Sequence, residues 1–352
     1  MASSFKTLLT EDVATTRTLL HEAIPITGTI VSGTYIDDAN VKYFTHGMFE
    51  AIYDYPYLSS SANHIFDITA GYASGTTFQS SSNAQDTKKI NIYNQMAQVL
   101  VGYDVNGDIQ QFDVDGDKGG GDKMASCYFI NFARLLTKDE IKKDSFRFGF
   151  YNDNDVADEF DPDHRAGLVT IGDYGAQTSY LSDSPAGEYG LLYTSAVSTT
   201  VVGHIYYQAG VVVLSASVMT SGTPTTSTSG GISEIGTGSV EHLFKSGNIS
   251  ELGNAIRYAY HNLDFNNTTE LNSTIYFCRA NNTEFNYSSN ITYLSASEIV
   301  VKGSNALANP VSYVTTVGLY SPDNELLAVA KLSEPLKKSP SNELTLRVRL
   351  DY

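Results

Sequence analysis

The chain has 352 residues, with 39 Asp and Glu against 22 Lys and Arg, a formal net charge of −17. That balance excludes a general duplex-DNA or RNA binder, which needs Lys and Arg to neutralise phosphate, and it disfavours docking on anionic lipid. Charged residues are 17% and hydrophobic ones 41%, so this is no disordered acidic tail, and about 150 residues per domain gives roughly two domains.

The first twenty residues, MASSFKTLLTEDVATTRTLL, lack a basic region followed by an apolar run, so no signal peptide is expected. Residues 8–23 read as a helix: Thr10 caps it, Glu11 and Asp12 fill its first turn, Val13, Leu19 and Leu20 are its apolar face, and Pro25 stops it. Residues 27–36 alternate small, polar and β-branched residues as a strand with turns does. Val41 to Tyr57 is rich in aromatic residues, and residues 59–87 are polar and loop-like around one apolar strand near Ile65–Ile68. Ile90–Val101 predicts a short helix. An acidic, glycine-rich loop follows, Asp113-Val-Asp-Gly-Asp-Lys-Gly-Gly-Gly-Asp122.

Cys127–Leu136 is apolar and predicts burial. Thr137 to Glu140 has the pattern of a capping box opening a helix. Phe146–Tyr151 alternates as a strand, and a second acidic loop runs over residues 152–164. Val169–Ala216 is β-like, with Gly203 marking a bulge and Gly210 a hairpin turn. Residues 221–238 are almost pure Ser, Thr and Gly and suit a flexible loop or linker. Residues 239–263 predict a helix broken near Gly247, with Ile249, Leu252, Ile256, Tyr260 and Leu263 at helical spacing. Core packing and a subunit contact both suit that stripe, and Tyr53, Tyr55 and Tyr57 are further interface candidates. From Ser273 onward the pattern is strand: Thr274–Arg279, Glu298–Lys302, Ser312–Tyr320, Leu326–Leu332 and Leu344–Leu350.

The expected fold class is therefore mainly β with a few helices, an α+β arrangement of antiparallel sheets with a sandwich-like C-terminal module. The expected domains are 1–220, mixed and β-rich with short helices and acidic loops; 221–238, the linker; and 239–352, a helix followed by an antiparallel β module. Cys127 and Cys278 are too few for a disulfide scaffold and read as free thiols. No window approaches ~18 uninterrupted apolar residues, so no membrane insertion is expected. The sequons at Asn248, Asn266, Asn267, Asn272, Asn281, Asn286 and Asn290 are what chance gives in an Asn/Ser/Thr-rich stretch.

Alternating Asp113, Asp115 and Asp117, with Asp122, could supply oxygen ligands to Ca²⁺. The EF-hand pattern fails, since position six is Lys118 and position twelve Met124. A solvated acidic loop, or one docking a basic neighbour, stays open beside the Ca²⁺ reading. Asp153, Asp155, Asp158, Glu159, Asp161, Asp163 and His164 carry the same ambiguity. Catalytic fingerprints are missing: no His-Glu-x-x-His, Gly-x-Ser-x-Gly, Walker A or dinucleotide motif occurs, and Gly116–Gly121 carries Asp where a phosphate loop needs Lys. A glycan depolymerase would need paired carboxylates across a sugar cleft, and the chain has no Trp for sugar stacking. No enzyme activity and no cofactor other than a Ca²⁺ ion are expected.

Two stretches resemble a known class. Val317-Gly-Leu-Tyr320, then Leu326-Leu-Ala-Val-Ala-Lys331, then the closing Arg349-Leu-Asp-Tyr352 are similar to the ending of structural proteins of large contractile-tailed phages of marine bacteria. Val202-Gly-His-Ile-Tyr-Tyr-Gln-Ala-Gly-Val-Val-Val-Leu-Ser215 resembles a strand pair of phage tail, baseplate and fibre proteins. The resemblance implies a virion structural protein of the tail or baseplate, assembled in the bacterial cytoplasm. Its implied partners are other virion proteins and further copies of itself in a symmetric assembly, with no direct nucleic-acid contact. A neck or collar component and a receptor-binding fibre or adhesin are the alternatives.

Overall fold

The computed structural model describes residues 5–27, 39–151, 168–218, 224–228, 231–234, 240–286, 294–295, 298–299 and 311–352. The strands are β1 (Val13–Thr27), β2 (Val41–Tyr43), β3 (Glu50–Tyr53), β4 (His64–Tyr72), β5 (Ser126–Phe132), β6 (Glu140–Ile141), β7 (Arg147–Tyr151), β8 (Leu168–Gly172), β9 (Leu181–Ser184) and β10 (Gly187–Tyr193). They continue as β11 (Val201–Tyr206), β12 (Val211–Ser215), β13 (Pro224–Thr228), β14 (Gly231–Glu234), β15 (Tyr260–Ala280), β16 (Leu294–Ser295), β17 (Glu298–Ile299), β18 (Ser312–Tyr320), β19 (Leu326–Lys338) and β20 (Leu344–Asp351). The helices are α1 (Asp86–Leu100), α2 (Arg134–Thr137), α3 (Ala176–Ser179), α4 (Val240–Ser246) and α5 (Ile249–Ala259). The fold is mainly β, an α+β arrangement of antiparallel sheets. The chain forms two compact units, Leu20–Thr269 and Met1–Leu19 with Glu270–Tyr352. The unit boundaries thus fall inside β1 and β15, away from residues 221–238.

In the larger unit the strands run in the order β15-β7-β8-β10-β11-β12-β5-β4-β3-β2, with β6 beside β15 and β9 beside β10. The middle strands are apolar on both faces. β5 (SCYFINF) and β12 (VVVLS) are buried almost throughout, as a sheet covered on both sides requires. One face carries Ile68, Tyr128, Ile130, Phe132, Val212 and Leu214, and packs with Leu252, Ala255, Ile256 and Ala259 of α5. The other carries Cys127, Phe129, Val213 and Tyr206, and packs with Ile92, Tyr93, Ala97 and Leu100 of α1 and with Phe112 and Met124. The result is helix, sheet, helix. The register that produces it pairs Val213 with Phe129 and Phe129 with Thr69.

Local chemistry fixes the helices. Asn248 caps α5 by accepting from Glu251 N at 2.9 Å, and the Glu251 carboxylate accepts from Asn248 N at 2.8 Å. The buried Lys89 ammonium donates to the carbonyls of Phe244 (2.7 Å) and Gly247 (2.6 Å). It therefore satisfies carbonyls that the end of α4 leaves open. The break expected near Gly247 is this α4–α5 junction.

Several expectations need correction. Residues 8–23 are not a helix: a 3-10 turn covers Thr10–Asp12 and β1 follows. Leu19 and Leu20 are exposed, so no apolar helical face is buried there. The β-branched Val13, Thr15, Thr16 and Thr18 suit the strand, which lies beside β15. Thr137 ends α2 rather than opening a helix, because Lys138 turns at φ 53° and β6 then pairs with Asn267 and Thr268. Tyr260 and Leu263 keep helical spacing but lie in β15, held opposite Phe150 and Phe148. Sheet pairing wins over local propensity there. Of residues 221–238, Pro224–Thr228 and Gly231–Glu234 form a hairpin. Residues 28–36, 152–164 and 300–302 lie outside the described residues.

Other expectations hold. Gly210 turns the β11–β12 hairpin at φ 67°, and the β10–β11 register shifts where Leu192 and Tyr193 face Gly203 and Val201. Cys127 and Cys278 are free thiols. Asn267 and Asn286 are buried and Asn248 is a cap, so these sequon side chains serve the fold. No helix among the described residues is long and apolar enough to cross a membrane.

The smaller unit is built differently. The C-terminal part of β15 pairs with β20 from Ser273 opposite Asp351 to Ala280 opposite Leu344. Leu344, Leu346, Val348 and Leu350 share one face, and Thr345, Arg347, Arg349 and Asp351 the other. β18 and β19 form a hairpin whose turn has Asn324 at φ 63° and Ser321 N donating to Glu325 O at 2.9 Å. Among its described residues no apolar side chain is buried; the buried ones are Asp12, Ser273, Thr274, Asn286, Lys338 and Ser339.

A substitution at Gly71 tests the sheet–helix packing. A Cβ there would sit 2.3 Å from Lys89 O and 2.9 Å from Tyr93 N, both backbone atoms of α1. Gly71→Ala is expected to destabilise the chain by about 1–3 kcal/mol, read as a lower urea midpoint with an unchanged slope.

Candidate functional site

The acidic segment connecting α1 to β5 makes two successive turns. In the first, Asp104 Oδ1 accepts from Asn106 N (2.9 Å) and Asp108 N (2.8 Å). Backbone donors of this kind hold the Asp104 carboxyl below its usual range. Gly107 takes φ 87° to close the turn.

The second turn runs from Asp113 to Lys123, which pair as an isolated antiparallel bridge. Val114 N donates to Asp122 O at 3.0 Å and Met124 N to Phe112 O at 2.9 Å. Phe112 is fully buried and anchors the base of the turn. At its tip Asp115 Oδ1 accepts from Asp117 N (3.3 Å) and Asp117 Oδ1 from Gly119 N (2.7 Å). Gly116, Lys118 and Gly121 all have positive φ, at 77°, 60° and 81°. Lys118 thus adopts the conformation that glycine supplies at the sixth position of an EF-hand loop.

Carboxylate oxygens of Asp113, Asp115 and Asp117 lie within 4.8 Å of one another. Asp122 is outside that group. Asp113 is only 2% exposed. Its Oδ2 accepts from Lys123 Nζ, which also donates to Gly119 O (2.9 Å) and Gly120 O (3.0 Å). Its Oδ1 has no hydrogen-bond partner. The Lys118 ammonium is occupied elsewhere, 3.1 Å from the Asp183 carboxylate. The donor set is oxygen only, which suits hard cations.

Sequence reasoning selected the aspartates but missed three neighbours. Lys123 closes the turn because the bridge register sets it opposite Asp113. Tyr189 Oη lies 3.0 Å from Gly116 O. His204 is buried among Phe112, Tyr189 and Tyr206, with ring centroids 5.7–6.5 Å apart. Neither His204 ring nitrogen has a hydrogen-bond partner. Lys123 belongs to the turn itself and is set by its bridge; Tyr189 and His204 come from β10 and β11, so no spacing in the sequence signals them.

Elsewhere, Tyr55 and Tyr57 are exposed. Ile249, Leu252 and Ile256 are core residues, so the α5 stripe is packing. A shallow depression of about 250 Å³ is lined by Tyr174, Tyr193, Ser195, Ala196, Ser198 and Thr199. The second acidic cluster, Asp153 to His164, lies outside the described residues. Comparison with known proteins finds no family model, no curated relative and no solved structure that matches this chain.

His204 makes stability pH-dependent. Burial pushes its pKa down to about 4, against a weaker opposite pull from the Val114 and Asp113 backbone and the Asp115 charge. Tyr189 and Tyr206 are the other titratable groups facing it. Between that value and the ordinary 6.5, this residue binds more protons in the unfolded chain than in the folded one. The stability contributed by neutral His204 is therefore present above pH 6.5 and lost as pH falls toward 4. His204→Phe, which cannot titrate, should lose less stability between pH 7 and pH 4.5 than the native chain does. The difference expected in urea unfolding is on the order of 2 kcal/mol.

Proposed function

We propose that this chain is a structural subunit of a tailed-phage virion, in the tail or baseplate, and that it works through protein–protein contacts rather than catalysis. The observation that carries the reading is the burial pattern of the smaller unit. Its strands bear many apolar side chains, in regular alternation along β20, yet none among its described residues is buried by the chain itself. Leu327 is 68% exposed, Val329 52% and Tyr313 62%. Apolar strand surface of this kind is what an assembly contact covers.

The resemblance supports the same unit. Val317–Tyr320 is the end of β18, Leu326–Lys331 the start of β19, and Arg349–Asp351 the end of β20 with Tyr352 after it. These residues thus lie in its strands, while the second similar stretch, Val202–Ser215, spans β11 and β12 of the larger unit. Neighbours would be further copies and other virion proteins, joined by strand edges and side-chain faces. The acidic balance keeps subunits soluble before assembly.

Immunogold electron microscopy of phage particles with an antibody to this chain tests the proposal. Label on tails or baseplates is expected. Particles without label reject the virion reading, label on necks replaces it with the collar alternative, and host-cell binding by a purified detergent-resistant trimer replaces it with a fibre. Within the unit, Leu327→Asp and Val329→Asp should change folding stability by no more than about 0.5 kcal/mol, since both sites are exposed. Both should sharply reduce incorporation into particles, measured by immunoblot of purified virions.

A further inference from the structure

We propose that the Asp113–Asp117 turn is a Ca²⁺ site, with Asp113, Asp115 and Asp117 as its carboxylate ligands. This is independent of the virion reading. The first observation is the cluster itself, three carboxylates whose oxygens lie within 4.8 Å of one another. The second is Asp113 Oδ1. It belongs to a side chain that is 2% exposed, lies beside Gly121 in the turn and has no hydrogen-bond partner. A buried carboxylate oxygen left without a partner is costly, and a cation held with Asp115 and Asp117 removes that cost.

Charge and tolerance of irregular coordination select the ion. Three carboxylates against the one Lys123 ammonium leave two negative charges in the turn. Lys123 pairs with Asp113 Oδ2, so Oδ1 stays available. Oxygens that share one ion lie no further apart than twice the metal–oxygen distance, and the three carboxylates are near enough to meet on one cation. Mg²⁺ demands near-ideal octahedral geometry, whereas Ca²⁺ accepts irregular sites. Asp115 and Asp117 are exposed, so water completes the shell. Three protein carboxylates in so open a turn correspond to the weak end of Ca²⁺ sites, a Kd of about 10⁻⁴–10⁻³ M.

The test uses the full chain and Tb³⁺, which takes Ca²⁺ sites and luminesces when a nearby tyrosine is excited. Tyr189 stands beside the turn. Saturable emission at one Tb³⁺ per chain is expected, displaced by Ca²⁺ in the millimolar range and much less well by Mg²⁺. Asp115→Asn and Asp117→Asn keep the oxygen that accepts the turn's backbone hydrogen bonds, so both variants fold. Each should weaken Ca²⁺ displacement about tenfold, because affinity follows ligand charge. Calcium should also raise the melting temperature of the native chain more than that of either variant. No saturable emission, or displacement unchanged in both variants, overturns the site. Equal displacement by Mg²⁺ overturns its assignment to Ca²⁺.

Discussion

The larger unit depends on one constraint: its central strands are buried on both faces. A sheet with no wet face needs a cover on each side, and its backbone groups must be satisfied within the ladder. β4, β5, β11 and β12 meet the second demand through antiparallel pairing. α5 and α1 meet the first from opposite faces. The close approach of α1 to β4 at Gly71 follows from it, and so does the burial of Lys89, whose ammonium closes the end of α4. The Lys89 charge is tolerated in the core because its ammonium donates to two backbone carbonyls.

The acidic segment is the connection between one cover and the sheet. Its base is apolar, with Phe112 and Met124 in the core, and its tip is wet. That gradient places Asp113 between the two environments. One of its oxygens meets Lys123 and the other has no hydrogen-bond partner. His204 lies on the dry side, where burial keeps it neutral. Part of the net charge of −17 is therefore held in a turn with a defined shape.

The smaller unit solves its folding problem without an apolar interior among its described residues. Its buried groups are polar. Lys338 donates to Asn286 Oδ1 (2.7 Å) and Ser339 O (3.0 Å), and Arg279 pairs with Asp12. Exposed ion pairs contribute little stability each, so long β-ladders carry the order there. Such strands leave apolar side chains facing outward, which is the physical basis for reading this unit as an assembly surface.

The sequence by itself determined what depends on neighbours in the chain. The strand over Leu344–Leu350, the apolar runs of β5 and β12, the helix break near Gly247 and the turn at Gly210 all read correctly, because each reports a local pattern of burial or a local backbone need. The aspartates of the turn were legible for the same reason: Asp113, Asp115 and Asp117 are spaced along one short loop. Tertiary structure decided the rest. β1 looked helical until its partner β15 was known, and Tyr260 and Leu263 left their helical stripe because Phe150 and Phe148 pair with them. Lys123 and His204 came to the turn through bridge register and strand order, and Asp122 was left out of the cluster. Apart from the turn's own bridge, those outcomes rest on hydrogen bonds and burial between residues far apart in sequence, and no local spacing encodes them.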